Sequence, residues 1–268
     1  MATKTILLDV GGTYIKCSDG RDVPSASAGT WDDIASAIRK AIGPLKEVSG
    51  IGVAIPGPFD YNEGVFLMKH KFSAVYGESF RSLAKLPASI GLKFAHDVNA
   101  VLMGAVRMLD IGNENAALVT LGTGLGFSHA VAGKVQFSPS GSPAYSLWNK
   151  PAAGGGILED RLSARGITAA YAEATGDKNR TPLQIARMAY SGNPEALAVY
   201  SGTGARLGVA LRPVLEELDI RKLLIGGQIA GSLSLMLEPL QKELPGITII
   251  QAPAGAVFEG LRSLFETN

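Results

Sequence analysis

The sequence is short of the residues that would tie it to an oxidising compartment, a membrane or a polyanion. Its 268 residues hold one cysteine, Cys17, so no internal disulfide can form and no cysteine cluster exists to hold a structural zinc. Acidic and basic side chains nearly cancel, 24 against 25, for a formal net charge of +1. With no dense Lys/Arg block, nothing favours a nucleic acid or an anionic membrane as partner. No apolar run is long enough to span a bilayer. The opening MATKTILLDV lacks the shape of a signal peptide, because its apolar run from Ile6 to Leu8 is too short. A soluble, cytoplasmic protein is the expectation. What is abundant points inward: 46% hydrophobic residues, enough for a sizeable core, and 33 glycines, which suit tight turns or loops that hug a ligand.

Strands alternate with helices along the chain, which is the α/β class. Thr5–Val10 reads as a buried strand that stops at Gly11-Gly12-Thr13, and Tyr14–Ser18 resumes extended character before an Asp19-Gly20 turn. Thr30 and Asp33 resemble a capping box ahead of a helix with Ile34, Ala37, Ile38 and Ala41 on one face. Gly50–Ile55 is an apolar strand stopped by Pro56-Gly57-Pro58. Leu92–Ala95 is another, delivering His96-Asp97 to a helix over Val98–Met108. Ala116–Leu121 leads into Gly122-Thr123-Gly124, and Phe127–Phe137 looks like a hairpin turning near Gly133. A loop rich in Ser, Pro and Gly covers 138–156, and a helical pattern runs from Ile157 to Leu218. Lys222–Ile225 ends in Gly226-Gly227. A helix is expected over Ile229–Glu243, a strand over Ile247–Ile250 and a last helix over Gly255–Phe265.

Leu7–Thr13 and Leu118–Gly124 are each an apolar strand ending in a Gly/Thr turn. A polyphosphate needs backbone N–H donors that approach closely; glycine allows the approach and a threonine hydroxyl adds a donor. Asp9 sits where a carboxylate would hold a hydrated Mg²⁺. Lys16, three residues past Thr13, stands where an amine would neutralise phosphate charge. Gly226-Gly227-Gln228 is a third such turn, where a glycine pair would let an adenine ring lie against the backbone. Either of the first two alone reads equally well as a plain hairpin turn, and the third alone reads as a strand-to-helix turn. None is a Walker A loop or a dinucleotide fingerprint. The repetition of the first two favours a ligand held between two lobes.

Five motifs, in order from end to end, resemble the ROK family (repressor, open reading frame, kinase) of the actin-like, hexokinase-like ATPase superfamily. They are Leu8-Asp9-Val10-Gly11-Gly12-Thr13, Ala54-Ile55-Pro56-Gly57-Pro58, Asp97-Val98-Asn99-Ala100, Leu121-Gly122-Thr123-Gly124-Leu125-Gly126 and Ile225-Gly226-Gly227-Gln228-Ile229. The resemblance implies two ribonuclease-H-like lobes with a cleft between them. Residues 1–113 with 255–268 would form the smaller lobe and 114–254 the larger, with the crossing near Gly112–Asn115. It implies ATP with Mg²⁺ and phosphorylation of a sugar hydroxyl. Gly11, Gly12, Thr13, Lys16, Thr123 and Gly124 would hold phosphates, and Gly226, Gly227 and Gln228 the adenosine. Gly57, His96, Asp97 and Glu159 would meet the substrate. Asp97 occupies the family's catalytic aspartate position, as the base that accepts the alcohol's proton; from spacing alone it is equally a helix N-cap. Asn99 reads as support for that helix start.

The sequence also departs from the family. His96 stands where ROK glucokinases carry an asparagine that holds the sugar; imidazole still donates one hydrogen bond, with a different reach. The Glu-x-Gly-His sugar motif is missing from 141–150, where Tyr145 and Trp148 lie instead. The zinc-binding cysteines are absent, so no zinc site is expected. Glu159 matches the family glutamate that contacts the sugar, and is as ordinary in the first turn of a helix. Lys69-His70-Lys71 reads as a solvated run or as a basic rim to the substrate site. His129 and Cys17 read as structural. The leading reading is an ATP-dependent sugar kinase. The rival is a sugar- or nucleotide-binding regulator or pseudokinase; the first strand begins at Thr5, which leaves no room for the DNA-binding domain that ROK repressors add at the N-terminus. A homodimer is compatible with the family; the substrate is not fixed.

Overall fold

The computed structural model describes residues 4–266. In chain order its elements are β1 (Lys4–Val10), β2 (Tyr14–Cys17), β3 (Asp22–Pro24), α1 (Trp31–Ile42), β4 (Val48–Ile55), β5 (Phe59–Asp60), β6 (Val65–Phe66), α2 (Phe80–Ala84), β7 (Gly91–His96) and α3 (Asp97–Met108). They continue as β8 (Ala116–Leu121), β9 (Leu125–Val131), β10 (Lys134–Val135), α4 (Leu158–Leu162), α5 (Ala164–Thr175), α6 (Pro182–Tyr190) and α7 (Pro194–Glu217). The last four are β11 (Lys222–Gly226), α8 (Leu237–Glu243), β12 (Thr248–Gln251) and α9 (Ala256–Ser263). Short 3-10 helices lie at Ser73–Val75 and Gln228–Leu235. Contacts divide the chain into two compact units. Among the described residues the first takes 4–111, 135–144 and 253–266, and the second takes 112–134 and 145–252.

The first unit is built on a sheet of order β3-β2-β1-β4-β7. β1 pairs antiparallel with β2 and parallel with β4, and β4 pairs parallel with β7. Period-2 alternation sorts β1 between two faces. Ile6, Leu8 and Val10 join the core with Ile34 and Ile38 of α1, whereas Leu7 packs with Ala54, Ala95, Ala100 and Leu261. Asp9 follows Leu7 at the same parity, so it faces the α3 and α9 side. α1 forms because its apolar stripe is capped at the start as expected: Thr30 Oγ1 accepts from Asp33 N–H at 3.3 Å, and Thr30 N–H donates to Asp33 Oδ2 at 3.0 Å. α9 lies against α3 through two glycines. A Cβ at Gly104 would sit 1.8 Å from Ala256 O, and one at Gly260 would sit 1.9 Å from Ala100 O.

The second unit's sheet, β10-β9-β8-β11-β12, repeats the same plan. β8 pairs antiparallel with β9 and parallel with β11, and β11 pairs parallel with β12. Val119, Leu121, Leu223 and Ile225 bury one face against the helices, including Leu207 and Leu211 of α7. The helix expected over Ile229–Glu243 is instead a 3-10 segment, kinked at Ser232, followed by α8. Glycine and serine at 231, 232 and 234 weaken helix continuation there. Among the described residues no helix is long and apolar enough to cross a membrane.

Candidate active site

In the first unit the strand register brings the candidate residues to one end of the sheet. Asp9 lies level with Ala54, and His96 level with Ile55. Asp9, the Gly11-Gly12-Thr13 turn, Gly57 and Asp97 therefore cluster at the carboxyl ends of the parallel strands β1, β4 and β7, where open α/β sheets bind ligands. Gly11 closes the turn by donating to Tyr14 O at 2.9 Å. Ser27 Oγ ties the next residue by donating to Gly12 O at 2.5 Å. Lys16 faces Asp9 across the β1–β2 pair.

Asp97 is the first residue of α3, and His96 is its N-cap. Asp97 Oδ1 lies 2.8 Å from Val98 N and 2.7 Å from His96 Nδ1. Val98 N is also 3.4 Å from His96 Nδ1. One nitrogen cannot donate to a carboxylate and accept from an amide together, and the two shorter contacts win. Nδ1 therefore carries a proton, which it donates to Asp97 Oδ1. Both contacts fall on Oδ1, so Oδ2 has no protein partner among the described residues. Burial pushes the Asp97 carboxyl up, but the His96 hydrogen bond and charge, the Val98 N–H and the Lys71 ammonium outweigh it and hold it below the usual carboxylate range. Its side chain keeps 42% of its exposure, so an acceptor can reach it. Gly57 leaves space beside His96: a Cβ there would lie 3.7 Å from Nε2 and 3.5 Å from the Tyr61 hydroxyl. That hydroxyl donates to Ile55 O at 3.0 Å. Asn99 is buried, and its Nδ2 donates to Gly141 O at 3.4 Å.

Asp9 behaves oppositely. Burial, and then the charge of Asp97, raise its pKa to about 6, with Lys16 opposing. Two carboxylates that resist joint ionisation fit a divalent cation bound mainly by phosphate and water. Among the described residues no group of three or more His, Cys, Asp or Glu is placed to hold a metal. The stability consequence has a definite sign. An acid whose folded pKa lies above its unfolded 3.8 favours folding most below 3.8, and that contribution is lost as pH rises through about 6. In chelator-containing buffer, Asp9→Asn is expected to melt above wild type at pH 7.5, by on the order of 2 kcal/mol, and to show less of a gain at pH 5. Thermal denaturation at the two pH values checks this; an equal offset at both would refute it.

The second unit carries the remaining candidates. Gly227 (φ +83°) must be glycine on two counts, since a Cβ would also strike Leu121 O at 2.3 Å. This close approach sets the Gly226-Gly227-Gln228 turn against the end of β8. A cavity of about 450 Å³ opens there, lined among others by Thr123, Thr181, Tyr200, Gln228 and Ile229, a volume suited to a small ligand. Tyr200 anchors its wall by donating to Pro182 O at 2.8 Å. Glu159 Oε2 accepts from Leu125 N–H at 3.1 Å and lies where a Gly124 Cβ would come within 2.9 Å, while Oε1 accepts from Arg165 at 3.0 Å. Its carboxylate thus braces the Thr123-Gly124 turn. Sequence reasoning missed Tyr61, Tyr200 and Thr181, which no local pattern flags, and left Lys71 at the rim, although its buried neighbour Phe72 was a signal of an anchored loop.

No protein-family model matches the chain. A curated relative, a glucokinase of Halalkalibacterium halodurans, is 22% identical over 296 residues, covering 94% of this chain and 88% of its own. Among solved structures, a ROK family glucokinase from Streptomyces griseus in complex with glucose and AMPPNP matches with a TM-score of 0.78 at 21% identity, covering 97% of this chain and 98% of that one. A ROK family transcriptional regulator, a homologue of the Escherichia coli MLC protein, matches with a TM-score of 0.73 at 17% identity, covering 96% of this chain and 76% of that one. Two mixed sheets with flanking helices, each repeating one strand order, are therefore the fold that these solved structures share.

Proposed function

We propose that the chain is a ROK-family kinase that transfers the γ-phosphoryl group of Mg·ATP to a hydroxyl of a sugar or sugar-like acceptor, with Asp97 as general base. The observation that carries this reading is the state of Asp97: an ionised carboxylate, pinned through Oδ1, with Oδ2 unpartnered, beside the Gly11-Gly12-Thr13 turn. Oδ2 accepts the acceptor's hydroxyl proton as the new O–P bond forms and the bond to the leaving ADP breaks. The transition state is loose, so aligning that hydroxyl is the larger contribution. His96 Nε2 meets a second acceptor hydroxyl across the space left by Gly57. Gly11, Gly12, Thr13, Thr123 and Gly124 present backbone and hydroxyl donors to phosphates, and Lys16 adds charge. Gln228 lines the cavity that takes the nucleoside, and Gly226 and Gly227 lead the chain into it. Bound Mg²⁺ would supply neutralisation of phosphate charge, with Asp9 ordering its water shell. Glu159 shapes the phosphate turn, since a direct acceptor contact would compete with its bonds to Leu125 and Arg165.

The test is ADP release over a panel of hexoses, N-acetylhexosamines and polyols, with wild type beside Asp97→Asn. At least one acceptor should give turnover that the variant loses. The absent Glu-x-Gly-His motif, and the same fold in a transcriptional regulator, define the competing outcome. A thermal shift with Mg·ATP or a sugar but no Asp97-dependent turnover makes the chain a binding protein. Neither shift nor turnover removes the kinase reading.

A further inference from the structure

The sequence placed Lys71 only in a basic run, as solvated surface or as a rim to the substrate site. Lys71 leads into Phe72, which holds a left-handed backbone (φ +53°) and is fully buried against Phe66, with ring centroids 5.6 Å apart. Phe72 N–H donates to Ser27 O at 2.7 Å, and Ser27 Oγ donates to Gly12 O at 2.5 Å. Ser27 therefore fastens both the phosphate turn and the segment carrying Lys71. The side chain lies along that turn: a Cβ at Gly12 would be 3.3 Å from Lys71 Cδ and Cε and 3.4 Å from Nζ. Half-buried, Lys71 forms no ion pair within 4.0 Å among the described residues. Its charge is nevertheless felt at Asp97. Lys69 and His70 are exposed, and Lys69 lies over the Tyr76 ring at 5.3 Å, so the three basic residues do not act alike. A half-buried ammonium with no carboxylate partner, held against a glycine turn and near the proposed base, awaits an anion.

We propose that Lys71 is a catalytic residue whose ammonium touches the phosphoryl group in flight between the Gly12 turn and the acceptor held by Asp97. The inference rests on the kinase reading. In the step, the acceptor oxygen bonds to phosphorus, the bond from phosphorus to the ADP oxygen breaks, and the hydroxyl proton passes to Asp97. Lys71 stays protonated throughout. It gives or takes no proton and lowers the barrier by meeting charge on the equatorial oxygens as it develops. A side chain at Gly12 would press on the lysine, its Cβ coming 3.3 Å from Cδ and Cε.

Lys71→Met and Lys71→Gln are compared with wild type, Asp97→Asn and the neighbour control Lys69→Met. On an acceptor that wild type phosphorylates, both Lys71 variants should lose roughly 10²–10³-fold in kcat with acceptor KM within threefold, and Lys71→Arg should recover part of the loss. A second readout needs no turnover. By calorimetry, AMP-PNP should bind the two neutral variants about tenfold more weakly while AMP binds as to wild type. Melting temperatures within a few degrees of wild type exclude a folding defect, and the Gln variant serves where Met fails that check. If Asp97→Asn abolishes turnover and the Lys71 variants keep kcat within threefold and AMP-PNP affinity unchanged, this assignment falls and the kinase stands. If no acceptor gives Asp97-dependent turnover, the kinase reading falls and takes this assignment with it.

Discussion

Asp97→Asn is expected to lower kcat by roughly 10²–10⁴-fold on the best acceptor, the usual contribution of a general base, while the KM for ATP changes little. Asparagine is nearly isosteric. Its side-chain carbonyl still accepts from Val98 N–H, so the start of α3 keeps its 2.8 Å bond. What is lost is the ability of the other oxygen to take a proton. Removing the charge should also relax Asp9, whose raised pKa owes its second largest part to Asp97. The variant is accordingly expected to melt at or above the wild-type temperature at pH 7.5, where both carboxylates would otherwise be ionised. Steady-state kinetics and a melting curve on one preparation check the pair of outcomes. Loss of activity with a large fall in melting temperature would mean that Asp97 serves chiefly to hold the first turn of α3, and activity within tenfold of wild type would mean that another group takes the proton.

Gly104→Ala is expected to be the most damaging single-methyl change in the first unit. The new Cβ would stand 1.8 Å from Ala256 O and 2.7 Å from Gly260 N, a bonding distance to one backbone atom and a severe overlap with another. Neither helix can yield alone. α3 is fixed by the buried Ala100, Leu102 and Ala105, and α9 by Leu261 packed against Leu7 and Ala54. Separating two packed helices opens the interior along their length, so a loss of about 4 kcal/mol or more is expected, in the range that marks a disrupted core. Gly260→Ala should do the same, because its Cβ meets Ala100 O at 1.9 Å. Gly231→Ala is the control: nothing lies within 4 Å of its Cβ, and its effect should stay within about 0.5 kcal/mol. Denaturation midpoints of the three variants decide it. A Gly104→Ala protein that melts like Gly231→Ala would contradict the helix contact.

Most of the strands were legible because they are apolar runs stopped by glycine, and a run of that kind is its own signal. α1 was legible down to its cap, since the Thr30 and Asp33 side chains close that cap between neighbours three residues apart. The likeness between Leu7–Thr13 and Leu118–Gly124 was legible too, and it has a structural counterpart. The two turns link the antiparallel pairs β1–β2 and β8–β9 at equivalent places in two sheets of the same order. The short β5, β6 and α2 were not legible. Two paired residues or five helical ones leave no periodicity, and Phe59, Phe66 and Phe80 are held by one another and by Phe94.

The sequence by itself determined which backbone segments carry the chemistry: glycine-rich turns after apolar strands, and a carboxylate at a strand-to-helix junction. These are local matters of conformational freedom and capping. Only the tertiary structure decided what each charged group is for. Asp9 and Asp97 lie 88 positions apart in the sequence, yet strand register and face bring them close enough for one to shift the other's ionisation. His96 found its hydrogen-bond partner in a carboxylate that only the bend into α3 presents. Lys71 lay in a run of basic residues like any solvated surface, and became a site residue through Ser27 and Phe72. Charge acts through space and depends on what water is excluded, and neither distance nor exclusion is written in the order of the residues.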